Sequence, residues 1–191
     1  MYSSLLLDKR GDLYGVTPLG GPSDSGVLYR LSSSGAFTVL HSLEGPCGTP
    51  ATDNHGNLYG ATNAGGRHGN GSVWKVSPKR KLTTLHSFRQ ADGTGPRAGV
   101  VLDAEGNLYG TTWFGGPGNS RYGTVYELNK SGVLSVLHSF AYASDGAEAY
   151  DNLILDAAGN LYGTAWVGGN YNGKCILYRG GGCGTVWKVT P

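Results

Sequence analysis

No hydrophobic run in the 191-residue chain approaches the length of a bilayer-spanning helix, so we expect no membrane insertion. Charge is also sparse: the formal net charge is +2, and the Lys and Arg residues are scattered along the chain. This distribution offers no basic surface to a nucleic acid. The opening residues, MYSSLLLDKR, are too short and too soon charged for a secretory signal.

Helical periodicity and familiar catalytic motifs are missing as well. No stretch holds a 3.6-residue hydrophobic period for three turns. No serine lies in a nucleophile elbow, no histidine pair has metal-binding spacing, and no glycine-rich stretch ends in Lys-Ser or Lys-Thr. We therefore expect no cofactor, no bound metal and no catalysis. Four acidic residues outside the repeats keep a propeller hydrolase or lyase open as an alternative: Asp24, Glu44, Glu148 and Asp151.

Cysteine is rare, with three residues that are too dispersed for a zinc site. Cys175 and Cys183 bracket a short glycine-rich loop, CILYRGGGC, and we predict a disulfide between them, with two free thiols as the alternative. Cys47 is then left without a partner cysteine.

Glycine, in contrast, is abundant, with 34 residues, and many of them recur in one motif. The segment GNLYGTTWFGG begins at Gly106, and close copies begin at Gly11, Gly56 and Gly159. Aligned on their leucines, the four copies are 45, 50 and 53 residues apart. Self-similarity at this period is typical of propeller blades or solenoid coils.

Each repeat contains segments typical of four strands, which in the third copy are GVVLD, NLYGTT, GTVYEL and SVLHSF. Four antiparallel strands in about 45 residues are the usual blade of a β-propeller. The sequence therefore predicts a single all-β domain over 1–191 with four blades. Their expected boundaries are 3–43, 49–88, 97–140 and 151–190. The last blade ends at GTVWKVTP and so lacks its fourth strand.

Three kinds of residue recur with the fold, and we interpret them as structural. An aspartate at the start of each first turn caps the backbone: Asp8, Asp53, Asp103 and Asp156. A mid-strand glycine allows close packing where the strands converge near the axis: Gly15, Gly60, Gly110 and Gly163. A histidine in the LHS motif makes a hydrogen bond within its sheet: His41, His86 and His138. Asp92 and Asp145, between blades, are interpreted as turn residues.

The combined pattern LYGTT, GG, GTVYEL, G, LHSF and DG resembles the GloVer-type tandem repeat, a glycine-rich β-strand repeat of bacterial extracellular proteins. It is also similar, more weakly, to NHL-type blades, in which a D..GN.Y segment opens the second strand. The first resemblance covers essentially the whole chain and implies an extracellular or cell-surface location. It supplies no catalytic residues.

The missing strand leaves one open sheet edge, which is a template for pairing with another chain. Three arrangements are compatible with this edge. The chain forms a compact four-bladed ring with a three-stranded blade, or it is part of a longer propeller. Alternatively, it assembles with copies of itself into a larger ring or a filament.

Ligand-binding residues are expected on the long, variable loops, which connect the second strand to the third and one blade to the next. These loops are rich in aromatic, amide and guanidinium groups that suit a glycan or a surface protein. The candidates are Trp113, Phe114, Arg121, Tyr122, Trp166, Asn170, Tyr171, Tyr178 and Arg179. From this composition we predict a non-catalytic binding scaffold, with a self-assembling structural subunit as the first alternative and a propeller hydrolase or lyase as the second.

Overall fold

The structure, a computed structural model, describes residues 4–142, 144–169 and 183–191. Among these residues, fifteen strands form four antiparallel sheets of four, four, four and three strands, each in simple chain order. The regular structure outside the sheets is a short 3₁₀ turn at Pro117–Asn119. No helix in the described ranges is long and apolar enough to cross a membrane. The prediction of an all-β propeller with four blades, the last with three strands, is confirmed.

The blades follow one another along the chain, and the first strand of each lies at one edge of its sheet. Blade 1 contains β1 (Leu6–Leu7), β2 (Leu13–Thr17), β3 (Val27–Leu31) and β4 (Phe37–Ser42). Blade 2 contains β5 (Pro46–Thr52), β6 (Leu58–Thr62), β7 (Ser72–Val76) and β8 (Leu82–Ser87). Blade 3 contains β9 (Val101–Leu102), β10 (Leu108–Thr112), β11 (Thr124–Leu128) and β12 (Leu134–Ser139). Blade 4 contains β13 (Ile154–Leu155), β14 (Leu161–Ala165) and β15 (Thr185–Val189).

The mid-strand glycines lie beneath aromatic rings of the neighbouring strand. Gly60 pairs with Trp74, and Gly110 pairs with Tyr126. A methyl group at either glycine would overlap the ring opposite it. The glycines therefore serve packing, as the sequence indicates, but the group that excludes a side chain is the aromatic ring of the third strand in the same blade, and not a strand converging on the axis. The same pairs recur as Gly15 with Tyr29 and Gly163 with Trp187.

Each blade has two faces, which we name by the neighbour that they contact. The trailing face carries the glycine–aromatic pair and, in blades 2 to 4, contacts the preceding blade. The leading face carries an apolar residue of the third strand, such as Leu28 in blade 1, and in blades 1 to 3 it contacts the following blade. In the first interface Tyr14, Val16 and Leu28 of blade 1 pack around Trp74 of blade 2. Burial of each such side chain stabilises the fold by about 1.5–3 kcal/mol.

The second and third interfaces repeat this arrangement. Val73 and Phe88 of blade 2 pack around Tyr126 of blade 3, with the rings of Phe88 and Tyr126 edge to face at 5.1 Å. Phe140 of blade 3 meets Trp187 of blade 4 in the same geometry, at 5.6 Å. In the part of the chain that the structure describes, three hydrophobic clusters thus join blade 1 to 2, 2 to 3 and 3 to 4, and none joins blade 4 to blade 1.

Candidate functional site

The two ends of the blades differ in chemistry, and the turn side is the more regular. We call one end of the blades the turn side, because it carries the turns between the first and second strands and between the third and fourth strands. The opposite end is the loop side. In blade 2, Asp53 Oδ1 accepts hydrogen bonds from the backbone N–H groups of His55 and Asn57, each at 2.9 Å. Asp53 Oδ2 accepts from Asn57 Nδ2 at 2.6 Å and from the Tyr59 hydroxyl at 3.0 Å. The hairpin between the first and second strands of blade 2 is thereby held closed by its own aspartate.

Blades 3 and 4 repeat this cluster, and blade 1 has a variant. Asp103 and Asp156 bind the asparagine four residues later and the tyrosine six residues later, as Asp53 does. In blade 1 the asparagine is replaced by Asp12, and the guanidinium of Arg10 contacts Asp8 Oδ2 at 3.1 Å instead. The aspartates therefore cap their turns.

These hydrogen bonds keep the turn-side carboxylates ionised. Burial by itself would raise the pKa of Asp53, but the hydrogen bonds from Asn57 and Tyr59 lower it overall. At Asp156 the hydrogen bonds from Asn160 are the largest influence and lower the pKa to about 2. Burial, together with the bond to Asp53, raises the pKa of Tyr59 to about 12. The same directions hold for Asp8, Asp103 and Tyr109.

On the loop side, two of the repeated histidines pair with aspartates of the connection that follows. His86 Nε2 lies 3.1 Å from Asp92 Oδ2, and His138 Nε2 lies 2.7 Å from Asp145 Oδ2. The carbonyl of Asp92 also accepts a hydrogen bond from the Thr124 hydroxyl of the next blade. The partner is thus a carboxylate outside the sheet, where the sequence predicts a bond within it. His41, whose blade has a short connection, contacts the Ser42 carbonyl at 2.8 Å.

A cavity of about 400 Å³ opens on the loop side of blade 3. It is formed by the loop between β10 and β11 and by the connections on either side of the blade. A volume of this size is ordinary for a small-molecule site. Its lining combines one carboxylate, one guanidinium, an amide and three aromatic rings: Glu148, Arg121, Gln90, Phe114, Tyr122 and Tyr142.

Two cavity residues have unfavourable backbone conformations. Tyr142 has a φ of 65° and Glu148 a φ of 58°, in the left-handed region that glycine favours. Glu148 is held there from both sides, because its N–H donates to the Tyr122 carbonyl and its carbonyl accepts from the Trp166 N–H. Residues kept in such conformations cluster at functional sites, since the surrounding structure must enforce them.

A row of aromatic rings extends from the cavity towards blade 4. The rings of Trp113 and Phe114 are stacked at 4.2 Å, and Trp113 lies 5.4 Å from Tyr150. Tyr150 in turn meets Trp166 edge to face at 5.6 Å. The guanidinium of Arg97 lies over the Trp113 ring at 3.4 Å, a cation–π contact. We call these five residues the aromatic row.

Tyr150, in the aromatic row, is close enough to charged residues of both regions for them to influence its pKa. Burial raises the pKa of Tyr150, the positive charge of Arg97 lowers it, and the negative charge of Glu148 raises it. The phenol therefore lies within the fields of both charged groups. Asp151, the next residue, accepts a hydrogen bond from the Thr164 hydroxyl at 2.8 Å. That carboxylate is thus tied to the sheet of blade 4.

The structure brings five of the nine predicted ligand-binding residues together. Phe114, Arg121 and Tyr122 line the cavity, and Trp113 and Trp166 belong to the aromatic row. The other four, Asn170, Tyr171, Tyr178 and Arg179, lie outside the described residues. So does Cys175, and its predicted disulfide to Cys183 stays a prediction.

Sequence reasoning missed four residues of this region and gave Glu148 only as an unplaced acid. The missed residues lie in the connections between blades, where no period singles them out: Gln90, Arg97, Tyr142 and Tyr150. The sequence gives one signal for them. The connections after blades 2 and 3 are longer than the connection after blade 1, and they contain several aromatic and charged residues.

The remaining unrepeated acids lie near blade 1. Glu44 lines a wider cavity of about 810 Å³ between blades 1 and 2, walled largely by small hydroxyl side chains. Asp24 accepts a hydrogen bond from the Gly20 N–H at 2.9 Å within its own loop. The acids therefore do not converge: Glu148 lies in the blade 3 cavity, and Glu44 is on the other side of blade 2.

Metal and thiol chemistry have little support in the described ranges. There, no three His, Cys, Asp or Glu side chains gather in one place. Cys47 is a buried free thiol whose Sγ lies 2.9 Å from the Pro96 carbonyl. Burial raises the pKa of Cys47 to about 12, which makes it a poor nucleophile.

The family of the chain follows from a comparison with family profiles. The Gloeobacter/Verrucomicrobia repeat matches residues 1–191, and the chain belongs to this family. The resemblance inferred from the LYG motifs is thereby confirmed. The extracellular location that it implies stays a prediction. No match was found among curated protein sequences.

Solved structures share the fold at low sequence identity. A gluconolactonase from Xanthomonas campestris is 18% identical, with a TM-score of 0.61 over 97% of this chain and 55% of that one. A luciferin-regenerating enzyme is 17% identical, with a TM-score of 0.62 over 98% of this chain and 60% of that one. The chain thus spans a little over half the length of these proteins. At such identity the likeness shows the fold.

These neighbours contradict the prediction of a non-catalytic binding scaffold and of a protein that is not an enzyme. Both solved structures are enzymes by name, and one of them is a gluconolactonase. The prediction relied on the absence of catalytic motifs. A motif records residues that are close in sequence, whereas Gln90, Arg121 and Glu148 come from three separate segments and line one cavity only in the folded chain.

Proposed function

We propose that this member of the Gloeobacter/Verrucomicrobia repeat family is a hydrolase of cyclic esters, acting on a hydroxylated lactone in the blade 3 cavity. The observation that carries the proposal is Glu148, a half-buried residue held at a left-handed φ of 58° with its carboxylate available in that cavity. The shared fold with a gluconolactonase supports the choice of substrate class.

Lactone hydrolysis needs a base for water and a positive group for the developing oxyanion. In the proposed reaction Glu148 takes a proton from water as the water oxygen attacks the carbonyl carbon. The guanidinium of Arg121 stabilises the negative charge that forms on the carbonyl oxygen. When the ring C–O bond breaks, the proton passes from Glu148 to the departing ring oxygen. The product is an open hydroxy acid, and the carboxylate of Glu148 is restored.

The rest of the cavity suits a hydroxylated ring. The rings of Phe114, Tyr122 and Tyr142 offer flat apolar surfaces, and Tyr122 and Tyr142 lie 5.3 Å apart. The amide of Gln90 can both donate to and accept from hydroxyl groups. Because Phe114, Arg121 and Tyr122 are exposed, the cavity is open to substrate from solvent.

The experiment is a lactonase assay with glucono-1,5-lactone, in which acid release is titrated at constant pH and the spontaneous rate is subtracted. We expect the wild-type chain to accelerate hydrolysis, and Glu148→Gln to reduce kcat/KM by about 100-fold or more because the base is lost. Arg121→Ala should lower kcat more strongly than it raises KM, since its charge acts mainly on the transition state.

The matched control is Glu44→Gln, which removes a carboxylate from the cavity between blades 1 and 2. This variant should keep wild-type kcat/KM. Melting temperatures of all variants should agree with that of the wild type to within a few degrees, because the changed side chains are polar and solvent-accessible. Hydrolysis no faster than the spontaneous rate, or full activity in Glu148→Gln, would refute the proposal.

A further inference from the structure

In the part of the chain that the structure describes, the two end faces of the blade array are apolar and uncovered. The third strands carry Leu28, Val73, Val125 and Val186 at equivalent leading-face positions, as their pairing with the second strands shows. The first three are 0% exposed, whereas Val186 of blade 4 is 82% exposed. Ile154 on the same face is 68% exposed. The leading face of blade 4 therefore has the composition of an interface without its partner.

The trailing face of blade 1 shows the same contrast. Leu5 is 49% exposed, whereas Val100 and Leu153, at the equivalent positions of blades 3 and 4, are each 4% exposed. Leu7 and Phe37 on this face are 65% and 61% exposed. Contiguous apolar residues at this exposure are unusual on an isolated chain and mark interaction surfaces.

The covered interfaces show what fits each end face. In all three, a leading face packs against the trailing face of the following blade, and an aromatic ring of the third strand takes part in the contact. The free trailing face presents the equivalent ring, Tyr29, which is tilted against the Phe37 ring at a centroid distance of 5.2 Å. The free leading face presents Lys188 over the ring of Tyr162, as Lys75 lies over Tyr59 where blade 2 meets blade 3. The two end faces are thus complementary to each other.

We propose that the leading face of blade 4 binds the trailing face of blade 1 in a second copy of this chain, head to tail. Such an interface is heterologous, so it closes into a ring or continues as a filament according to its rotation. The occupant is a blade of the same repeat because three examples of that contact exist within the chain.

The experiment is light scattering coupled to size exclusion, with the wild-type chain between about 1 and 500 µM. We expect a species whose mass is a multiple of 19.9 kDa and rises with concentration. Val186→Glu should block the leading face, and Leu7→Glu the trailing face. Each variant alone should be monomeric, because every contact needs one face of each kind.

Mixing the two variants gives the decisive result. Val186→Glu keeps its trailing face and Leu7→Glu keeps its leading face, so an equimolar mixture should form a dimer and nothing larger. The control Val133→Glu changes a residue that is 58% exposed in a turn of blade 3, and it should assemble like the wild type. A folded wild-type monomer at every concentration would overturn the proposal. Assembly of both end-face variants on their own would do the same, since it would point to pairing at the edge of β15.

Discussion

The turn side and the loop side of the blades are built from one repeat but differ in what the repeat preserves. On the turn side, four aspartates occupy equivalent positions and bind their own turns in nearly the same way. On the loop side, the blade 3 cavity and the aromatic row occur once. The comparison teaches that residues which recur maintain each blade, while the chemistry lies in residues that do not recur.

The largest expected effect comes from titrating the whole turn side. The folded-state pKa values of the four aspartates lie below their ordinary value, so the unfolded chain binds protons first as the pH falls. Their stabilising contribution is complete above about pH 5 and is lost towards pH 2. We expect the urea midpoint to fall steeply over this range, and Asp103→Asn to show a shallower fall. A flat profile between pH 5 and pH 2 would contradict the role assigned to these carboxylates.

The tyrosines of the same clusters predict an alkaline limit. The pKa values of Tyr59 and Tyr109 are raised to about 12, so the folded state holds these protons more tightly than the unfolded chain. This stabilisation is complete below about pH 10 and is lost as the pH rises towards 12. Urea midpoints measured in the same series should therefore decline between about pH 10 and pH 12.

A single turn-side change should have the next largest effect. Asp103→Ala removes the acceptor for the Asn107 amide and the Tyr109 hydroxyl, and we expect the free energy of unfolding to fall by about 2 kcal/mol. The control Glu105→Ala changes an exposed side chain of the same turn and should stay within about 0.5 kcal/mol of the wild type. Lactone hydrolysis per folded molecule should be unchanged in both variants. Equal stability of the two would contradict the capping role.

The smallest predicted effect is on the loop side and has the opposite sign. Glu148→Gly removes a side chain from a backbone at φ 58°, and we expect a gain of about 0.5 kcal/mol in unfolding free energy with loss of hydrolysis. The control Ala149→Gly alters the next residue, which is buried and has no positive φ, and should lose about 1 kcal/mol because glycine has more conformational freedom to lose on folding. If both variants lose stability equally, the backbone at Glu148 is not strained.

How much of the structure could be predicted depends on how far apart in the sequence the interacting residues lie. The Asp–Asn–Tyr turns lie within six residues, and the Gly60–Trp74 pair lies within one hairpin, so their spacing is visible in the sequence. The pairing of His86 with Asp92 crosses only six residues, but it lies in an irregular connection where strand periodicity says nothing about side-chain direction. The cavity was the least predictable feature, because Gln90 and Glu148 come from the connections on opposite sides of blade 3.

The sequence by itself determined four β repeats and the turn chemistry that closes each hairpin, because those contacts are local and recur in every copy. It could not distinguish Leu28 from Val186, which occupy equivalent positions in similar strands. Only the tertiary structure decided that one is buried and the other exposed, since burial depends on whether a neighbouring blade is present. It also decided that Glu148 shares a cavity with Arg121, because that proximity exists only once blade 3 has folded between its two connections.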